Sequence, residues 1–302
     1  MPNAYLLTIE QNKYRFNIYL KDESSNPTGS FKDRGMPLML SDAKMLGKKR
    51  IAIPSTGNAA LSLGYYANKA DIESTVFVPS DTHVKKLKLL EKNSHVIKCK
   101  DLIESYESFY RFCQENSDVY NALPGTNVPY SQGLKTLAYE VFEQCNNFFP
   151  DWIIMPCASG GNIVAQYEGF SDLYQMGLIK KMPKFVTVQI LGGDPITIGF
   201  KKKQNDSVVI IENIVESKSI LSSDTNFNYF KIMRILEKTE GLAISVSDAE
   251  IDITISQNDF PDLDYSSMSV FTALGLLDKV IKQNENVILI GTAKKHDMSV
   301  DY

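Results

Sequence analysis

Three stretches of the chain place small and polar residues where an extended run turns into a helix, the setting in which backbone N–H groups gather to meet an anion. The first is Asn26-Pro27-Thr28-Gly29-Ser30-Phe31-Lys32-Asp33-Arg34-Gly35. A lysine in the first helical turn lies at the positive end of the helix dipole, which disfavours its ammonium form and makes its amine a better nucleophile. A Schiff-base lysine needs that chemistry. The competing reading is an ordinary exposed lysine beside an N-capping Ser30.

The second stretch, Ile51-Ala52-Ile53-Pro54-Ser55-Thr56-Gly57-Asn58-Ala59-Ala60, passes from a strand through hydroxyls and a glycine into a helix. Its hydroxyls and N–H groups suit a carboxylate, and they suit a helix cap equally well. In the third, Trp152-Ile153-Ile154-Met155-Pro156-Cys157-Ala158-Ser159-Gly160-Gly161-Asn162-Ile163, two glycines before a helix allow a phosphate to approach the backbone closely. Neither the dinucleotide fingerprint nor the P-loop pattern occurs at a strand–helix junction.

These turns need a scaffold of alternating strands and helices. Residues 16–20, 50–54, 75–78, 95–98, 119–122, 152–155, 186–190 and 287–290 read as strands, and several are apolar throughout, as strands covered on both faces should be. Residues 31–48, 58–69, 84–92, 102–116, 133–145, 162–176 and 266–283 carry helical apolar spacing. Pro37 is tolerated only near a helix start, which puts that start close to Lys32. Residues 200–228, rich in Lys, Ser and Asn, read as containing loop. The alternation predicts an α/β fold of two doubly wound, mostly parallel sheets, whose turns lie together at the carboxyl ends of the strands. Residues 49–132 form a run of βα units that reads as a smaller, mobile substrate-binding domain. Residues 1–48 and 133–302 would make the larger cofactor-binding domain.

Composition narrows the function class. With 302 residues, 43% hydrophobic and 23% charged, the chain can bury a full core. A net charge of −4 gives no basic field for a nucleic-acid backbone. Cys99, Cys113, Cys145 and Cys157 form no C-x-x-C pair and only three histidines are present, so no metal site is expected. The cysteines read as free thiols in a reducing compartment. The first residues hold too short an apolar run for a signal peptide, and no run reaches membrane-spanning length. A cytoplasmic protein without membrane or nucleic-acid partners is expected.

In order and separation, the three turns resemble those of the fold-type II pyridoxal-phosphate-dependent enzymes, the superfamily of tryptophan synthase β and cysteine synthase. The segment Asn26–Gly35 is similar to the threonine synthase signature. Residues 132–141, Gln-Gly-Leu-Lys-Thr-Leu-Ala-Tyr-Glu-Val, are similar to the helix after the family's small domain, and residues 243–251 to a late helix start. The resemblance implies pyridoxal 5′-phosphate as cofactor, Lys32 as the Schiff-base and proton-shuttling residue, and Asn58 on the cofactor's 3′ oxygen. It implies Ala158, Ser159, Gly160, Gly161 and Asn162 around the cofactor phosphate, and Ser55, Thr56, Gly57 and Asn58 on the substrate carboxylate. The pyridine nitrogen in this fold type meets a hydroxyl. Matching the glycine puts Ile290 there, and a slip of two residues puts Thr292 there; Thr292 is the expected contact. A homodimer acting on a small amino acid is also implied.

The sequence departs from threonine synthase where the phosphate of O-phosphohomoserine would bind. Ala59 replaces a hydroxyl residue, Tyr130 stands where an Arg is usual, and Ser159 and Gly160 alter the third turn. Losing a phosphate-pairing Arg should cost about 1.5–3 kcal/mol per charged hydrogen bond. Lys86, or its neighbours Lys85 and Lys88, could supply one cation. Two lyase readings follow for an enzyme of amino-acid biosynthesis. One is threonine synthesis from O-phosphohomoserine. The other is β-elimination or β-replacement on an activated serine or threonine, as in cysteine, cysteate and diamino-acid synthases or Ser/Thr dehydratases. A degenerate binding paralogue is the non-enzyme alternative, and it would be expected to lack Lys32 or the glycines.

Overall fold

A computed structural model describes residues 4–10, 13–145, 148–203, 228–257 and 262–295. In chain order the strands are β1 (Tyr5–Ile9), β2 (Asn17–Asp22), β3 (Arg50–Pro54), β4 (Glu73–Pro79), β5 (His95–Cys99), β6 (Val119–Asn121), β7 (Trp152–Pro156), β8 (Lys184–Ile190), β9 (Leu242–Val246) and β10 (Asn286–Gly291). The helices are α1 (Lys32–Met45), α2 (Asn58–Ala70), α3 (Val84–Leu90), α4 (Leu102–Glu115), α5 (Val128–Leu134), α6 (Thr136–Gln144), α7 (Gly161–Gln175), α8 (Pro195–Lys202), α9 (Tyr229–Lys238), α10 (Asp248–Gln257) and α11 (Tyr265–Leu277).

The described chain divides into two compact units. In one, Asn26–Leu134, four strands in the order β5-β4-β3-β6 pair in parallel. Ile51, Ala52 and Ile53 are fully buried in succession, because helices cover both faces of the strand. Helix α1 packs on α5 and α2 in this unit. Its crossing with α5 is close: a Cβ on Gly133 would lie 2.3 Å from the Arg34 carbonyl oxygen, so only glycine fits.

The other unit, residues 4–25 and 135–295, carries six strands in the order β1-β2-β10-β7-β8-β9. All pairs are parallel except the edge pair β1–β2. One face packs Ile154, Val188 and Leu289 against α11, and the other packs Ile153, Phe185 and Ile288 against α7 and α9. Strand β7 feeds both cores, as its unbroken apolar sequence requires. No helix of the described residues is long and apolar enough to cross a membrane. The four cysteines are free thiols, and three of them are buried.

A charge lies inside this second unit. The Lys21 side chain on β2 is fully buried, and its ammonium donates to the Ala4 carbonyl (2.5 Å), to Gln144 Oε1 (2.8 Å) and to the carboxylate of Glu140. Removing one partner of a buried ion pair strands the other. Lys21→Met is expected to cost about 3–5 kcal/mol, measured as a lowered urea midpoint. Glu140→Gln paired with Lys21→Met should recover part of the loss.

The structure adds elements that the sequence pattern hides. Residues 243–251 hold the end of a strand before a helix: β9 runs to Val246, and α10 starts after a Ser247/Glu250 capping box. Residues 266–283 shorten to α11, which ends at Leu277. The helix expected over 133–145 begins at Thr136, with α5 as a separate helix before it. Of residues 200–228, Phe200–Lys202 close α8 and Asn228 precedes α9, while 204–227 lie outside the described residues.

Candidate active site

The lysine turn is built by its own short side chains. Gly29, at φ 82°, donates its N–H to the Asn26 carbonyl at 2.7 Å, a bend that a residue with a Cβ resists. The buried Asp33 carboxylate accepts from Thr28 N–H (2.6 Å), Thr28 Oγ1 (2.5 Å) and Ser62 Oγ (2.6 Å) of α2. Asp33 is thus spent on holding the turn against α2. Ser30 does not cap the helix: the N-cap position is Phe31, and Ser30 Oγ is fully buried without a hydrogen-bond partner among the described residues.

Helix α1 opens on Lys32 itself, as Pro37 suggests, although Pro37 falls in the second turn rather than the first. Among the described residues no carboxylate pairs with the Lys32 amine, which lies 4.3 Å from the centroid of the Phe31 ring. Burial lowers its pKa to about 8. At pH 7 roughly one amine in ten is then neutral, against about one in three thousand for an ordinary lysine. The cause is lost hydration. The exposed-lysine reading fails on the same observation.

In the second turn, Ser55, Thr56, Gly57 and Asn58 are all partly buried at the end of β3. No side chain caps α2. Ser55 Oγ accepts weakly from Gly57 N–H at 3.3 Å, and a Cβ on Gly57 would meet nothing within 4 Å. The turn is therefore open above the helix N-terminus, where an anion would be favoured. Two other residues of this unit stand apart from it in character. Lys86 is exposed on α3. The Tyr130 ring is buried against α1, so tightly that a Cβ on Gly35 would lie 2.3 Å from it. Its hydroxyl has no partner among the described residues, and burial raises its pKa far above the usual phenol range.

The other unit supplies the glycine turn at the end of β7. Gly160 adopts φ 82°, and a Cβ there would lie 2.1 Å from Ile232 Cδ1. At Gly161 a Cβ would meet nothing within 4 Å, so a ligand has room beside the backbone. The first intrahelical hydrogen bond of α7 runs from Val164 N–H to the Gly160 carbonyl at 3.2 Å. The amides of Gly161, Asn162 and Ile163 precede it and point out of the helix end. Asn162 Oδ1 accepts from Gln166, leaving the buried Asn162 Nδ2 with no partner among the described residues. Ala158 is half-buried and Ser159 exposed, with the Ser159 carbonyl held by Asn228 Nδ2 at 2.9 Å. Burial pushes the Cys157 thiol up to about 12, so it is no thiolate nucleophile.

At the end of β10, Ile290 and Thr292 are both buried and differ in their partners. Ile290 is fully buried in the apolar cluster under α7 and α9. Thr292 lies just past the strand in a polar node with Ser267 of α11, and Ser267 is itself bonded to Asp264. Sequence reading missed Asp264 and Ser267, just as it missed the Asp33–Ser62 bond. Asp264 precedes an apolar helix in a cap position, and that spacing was the one signal available.

Residues 5–292 match the sequence family described as pyridoxal-phosphate dependent enzyme. The threonine synthase of Methanosarcina acetivorans is 30% identical over 284 residues, covering 91% of this chain and 69% of the relative. That of Methanocaldococcus jannaschii is 30% identical over 236 residues, covering 78% and 58%. The chain thus spans between 58% and 69% of the length of these two relatives. Among solved structures, a fungal L-serine ammonia-lyase from Rhizomucor miehei superposes with a TM-score of 0.83 at 18% identity, over 97% of this chain and 94% of that one. Threonine deaminase isoform 2 from Solanum lycopersicum gives a TM-score of 0.81 at 16% identity, over 98% and 85%. At these identities the structural likeness concerns the fold.

Proposed function

The chain belongs to the pyridoxal-phosphate-dependent enzyme family, and from that premise we propose that it is a lyase of the threonine synthase type whose Lys32 carries the cofactor. The observation that carries the reading is the Lys32 amine, at the first residue of α1, unpaired by any described carboxylate and lowered to about pKa 8.

The residues present fit the cofactor. The phosphate matches the glycine turn, with left-handed Gly160, the open backbone of Gly161, the α7 amides and the orphaned Asn162 Nδ2. Ala158 and Ser159 would form the rim of that cradle; Asn58 would be the residue for the 3′ oxygen, and Thr292 the residue for the pyridine nitrogen. When bound, the cofactor supplies an electron sink for negative charge developing beside the substrate's amino group.

The protein's own part is binding and proton traffic. Ser55, Thr56, Gly57 and Asn58 orient the substrate carboxylate at the α2 N-terminus. Lys32 Nζ would take the proton from the substrate Cα, and its lowered pKa would let it return a proton near neutral pH. In the threonine synthase reaction, phosphate leaves Cγ of O-phosphohomoserine and water adds at Cβ. Lys86 and Tyr130 stand on the substrate side in this reading. The smaller substrate-binding domain in this reading is the unit Asn26–Leu134, which starts earlier than the 49–132 read from sequence because α1 packs on α2 and α5. We place the enzyme in the cytoplasm as a homodimer.

A second reading rests on the same site with a different substrate. Ala59 and Tyr130 stand where a phosphate-binding hydroxyl and Arg would be expected, and the Tyr130 ring is locked against Gly35. That favours β-elimination or β-replacement on a serine or threonine derivative. A non-catalytic paralogue is disfavoured, since Lys32, Gly160 and Gly161 are all in place. Phosphate release from O-phosphohomoserine, set against pyruvate or 2-oxobutyrate release from serine, O-phosphoserine, O-acetylserine and threonine, separates the readings. Dominant turnover of O-phosphohomoserine to threonine is the expected result; ketoacid release without threonine supports the second reading.

A further inference from the structure

The polar node at the end of β10 has a proton count that assigns a role to a residue outside the turns described above. Asp264 caps α11, accepting from Ser267 N–H at 2.8 Å and from Ser267 Oγ at 2.6 Å. Its own N–H donates to the Ala293 carbonyl at 2.8 Å, tying the start of α11 to the end of β10. Ser267 Oγ accepts from Thr292 N–H at 2.9 Å and from Ala293 N–H at 3.1 Å. It also lies 3.2 Å from Thr292 Oγ1 and 3.3 Å from the Ala293 carbonyl oxygen. Ser267 is fully buried and Thr292 nearly so.

A serine hydroxyl has one proton and two lone pairs. Here both lone pairs face backbone N–H groups. The proton has three candidate acceptors, and the carboxylate is both the nearest and the one that bears charge. Once Ser267 donates to Asp264, it has no lone pair left for Thr292 and no proton to give it. The Thr292 hydroxyl, whose sole hydrogen-bond neighbour among the described residues is that saturated oxygen, keeps its own proton for a ligand. Burial raises the Asp264 carboxyl to about 6, which leaves it mostly ionised, and so an acceptor, at pH 8.

We infer that Asp264 is a positioning residue for the cofactor ring: by claiming the only proton of Ser267 it holds the β10 end in place and reserves the Thr292 hydroxyl as donor to the pyridine nitrogen. The inference rests on the reading that pyridoxal phosphate binds with its nitrogen at Thr292.

The test uses Asp264→Asn, Ser267→Ala and Thr292→Val, singly and in pairs, at pH 8. The readouts are the dissociation constant of pyridoxal phosphate, the visible spectrum of the bound cofactor and the melting temperature of the apoprotein. Asparagine caps helices as well as aspartate does, so the apoprotein fold should hold. Its neutral amide oxygen still accepts from the Ser267 N–H but lacks the charge that draws the serine proton, which leaves that proton free to turn toward Thr292. Asp264→Asn should then weaken cofactor binding about tenfold, the value of one hydrogen bond, and shift the bound-cofactor spectrum. In the Ser267→Ala and Thr292→Val backgrounds it should change neither.

A wild-type affinity and spectrum in Asp264→Asn, or effects that simply add to those of the other two substitutions, would overturn the inference. Should Asp264→Asn fold poorly, Ser267→Ala carries the test, because it keeps Asp264 capping the residue 267 amide. A Ser267→Ala protein with wild-type spectrum and affinity also overturns the inference. Two outcomes strike the underlying reading instead, and the inference falls with it: a wild type that takes up no cofactor, or a silent Thr292→Val.

Discussion

Lys32→Ala is expected to abolish the visible absorption band of the bound cofactor and to lower turnover by at least about a thousandfold, since both the covalent anchor and the proton carrier are lost. The check is a spectrum of the purified protein with added pyridoxal phosphate, followed by steady-state rates on the substrate that the wild type prefers. A variant that keeps the band would refute the assignment of Lys32. The same residue has a readable cost in the apoprotein. Its pKa falls from 10.5 to about 8 in the folded chain, which corresponds to about 3 kcal/mol against folding at pH 7. The sign follows from proton binding. Between pH 8 and 10.5 the unfolded chain holds the proton and the folded chain does not, so wild-type stability rises with pH across that window. Below pH 8 both states are protonated, and the penalty is constant. Apo Lys32→Met should therefore melt above apo wild type at pH 7, with the gap closing toward pH 10.5. Cofactor loading of the wild type should speed up as pH rises through 8.

Gly160→Ala is expected to lower cofactor affinity by more than about a hundredfold and to destabilise the apoprotein by about 2–5 kcal/mol. Two costs combine at this position. A residue with a Cβ at φ 82° is strained by about 1–2 kcal/mol, and the new methyl would lie 2.1 Å from Ile232 Cδ1. Ile232 is itself fully buried beneath the turn and has little freedom to retreat. Relief must come from the turn, which carries the α7 amides away from the phosphate position. Gly161→Ala is the matched control, since a Cβ there meets no protein atom within 4 Å. It should leave the apoprotein melting temperature within a degree or two while still weakening phosphate binding. Equal apoprotein stability of the two variants, measured by thermal melts, would contradict the packing argument. A Gly161→Ala protein with undiminished cofactor affinity would contradict the cradle.

The parts legible in the sequence are those whose physics is local. Ile51–Ile53 and Trp152–Met155 are apolar without alternation because helices cover both faces, and each strand falls within a residue or two of where its run predicts. Gly160-Gly161 before an apolar helix signals a tight backbone turn, and Gly160 adopts a left-handed φ. The edge strand β1 was not legible: its burial is slight, and its pairing with β2 comes from backbone hydrogen bonds rather than from a pattern of side chains. Strand β9 and helix α10 were run together because Ser247 is a capping residue only once the strand before it is placed beside β8.

The sequence by itself determined the α/β alternation and the three turns, with Lys32 in the first of them. The side chains that do this work lie within ten residues of one another in each turn, so spacing alone brings them together. What the tertiary structure alone decided is the environment of those groups. Burial brings Lys32 to about pKa 8, and burial depends on side chains far away in sequence. The carboxylate of Asp33 is committed to Ser62, 29 residues on. Thr292 is joined to Ser267, and Ile290 is taken into an apolar cluster. Desolvation and hydrogen-bond partners are properties of a packed interior, and no local pattern in a chain encodes them.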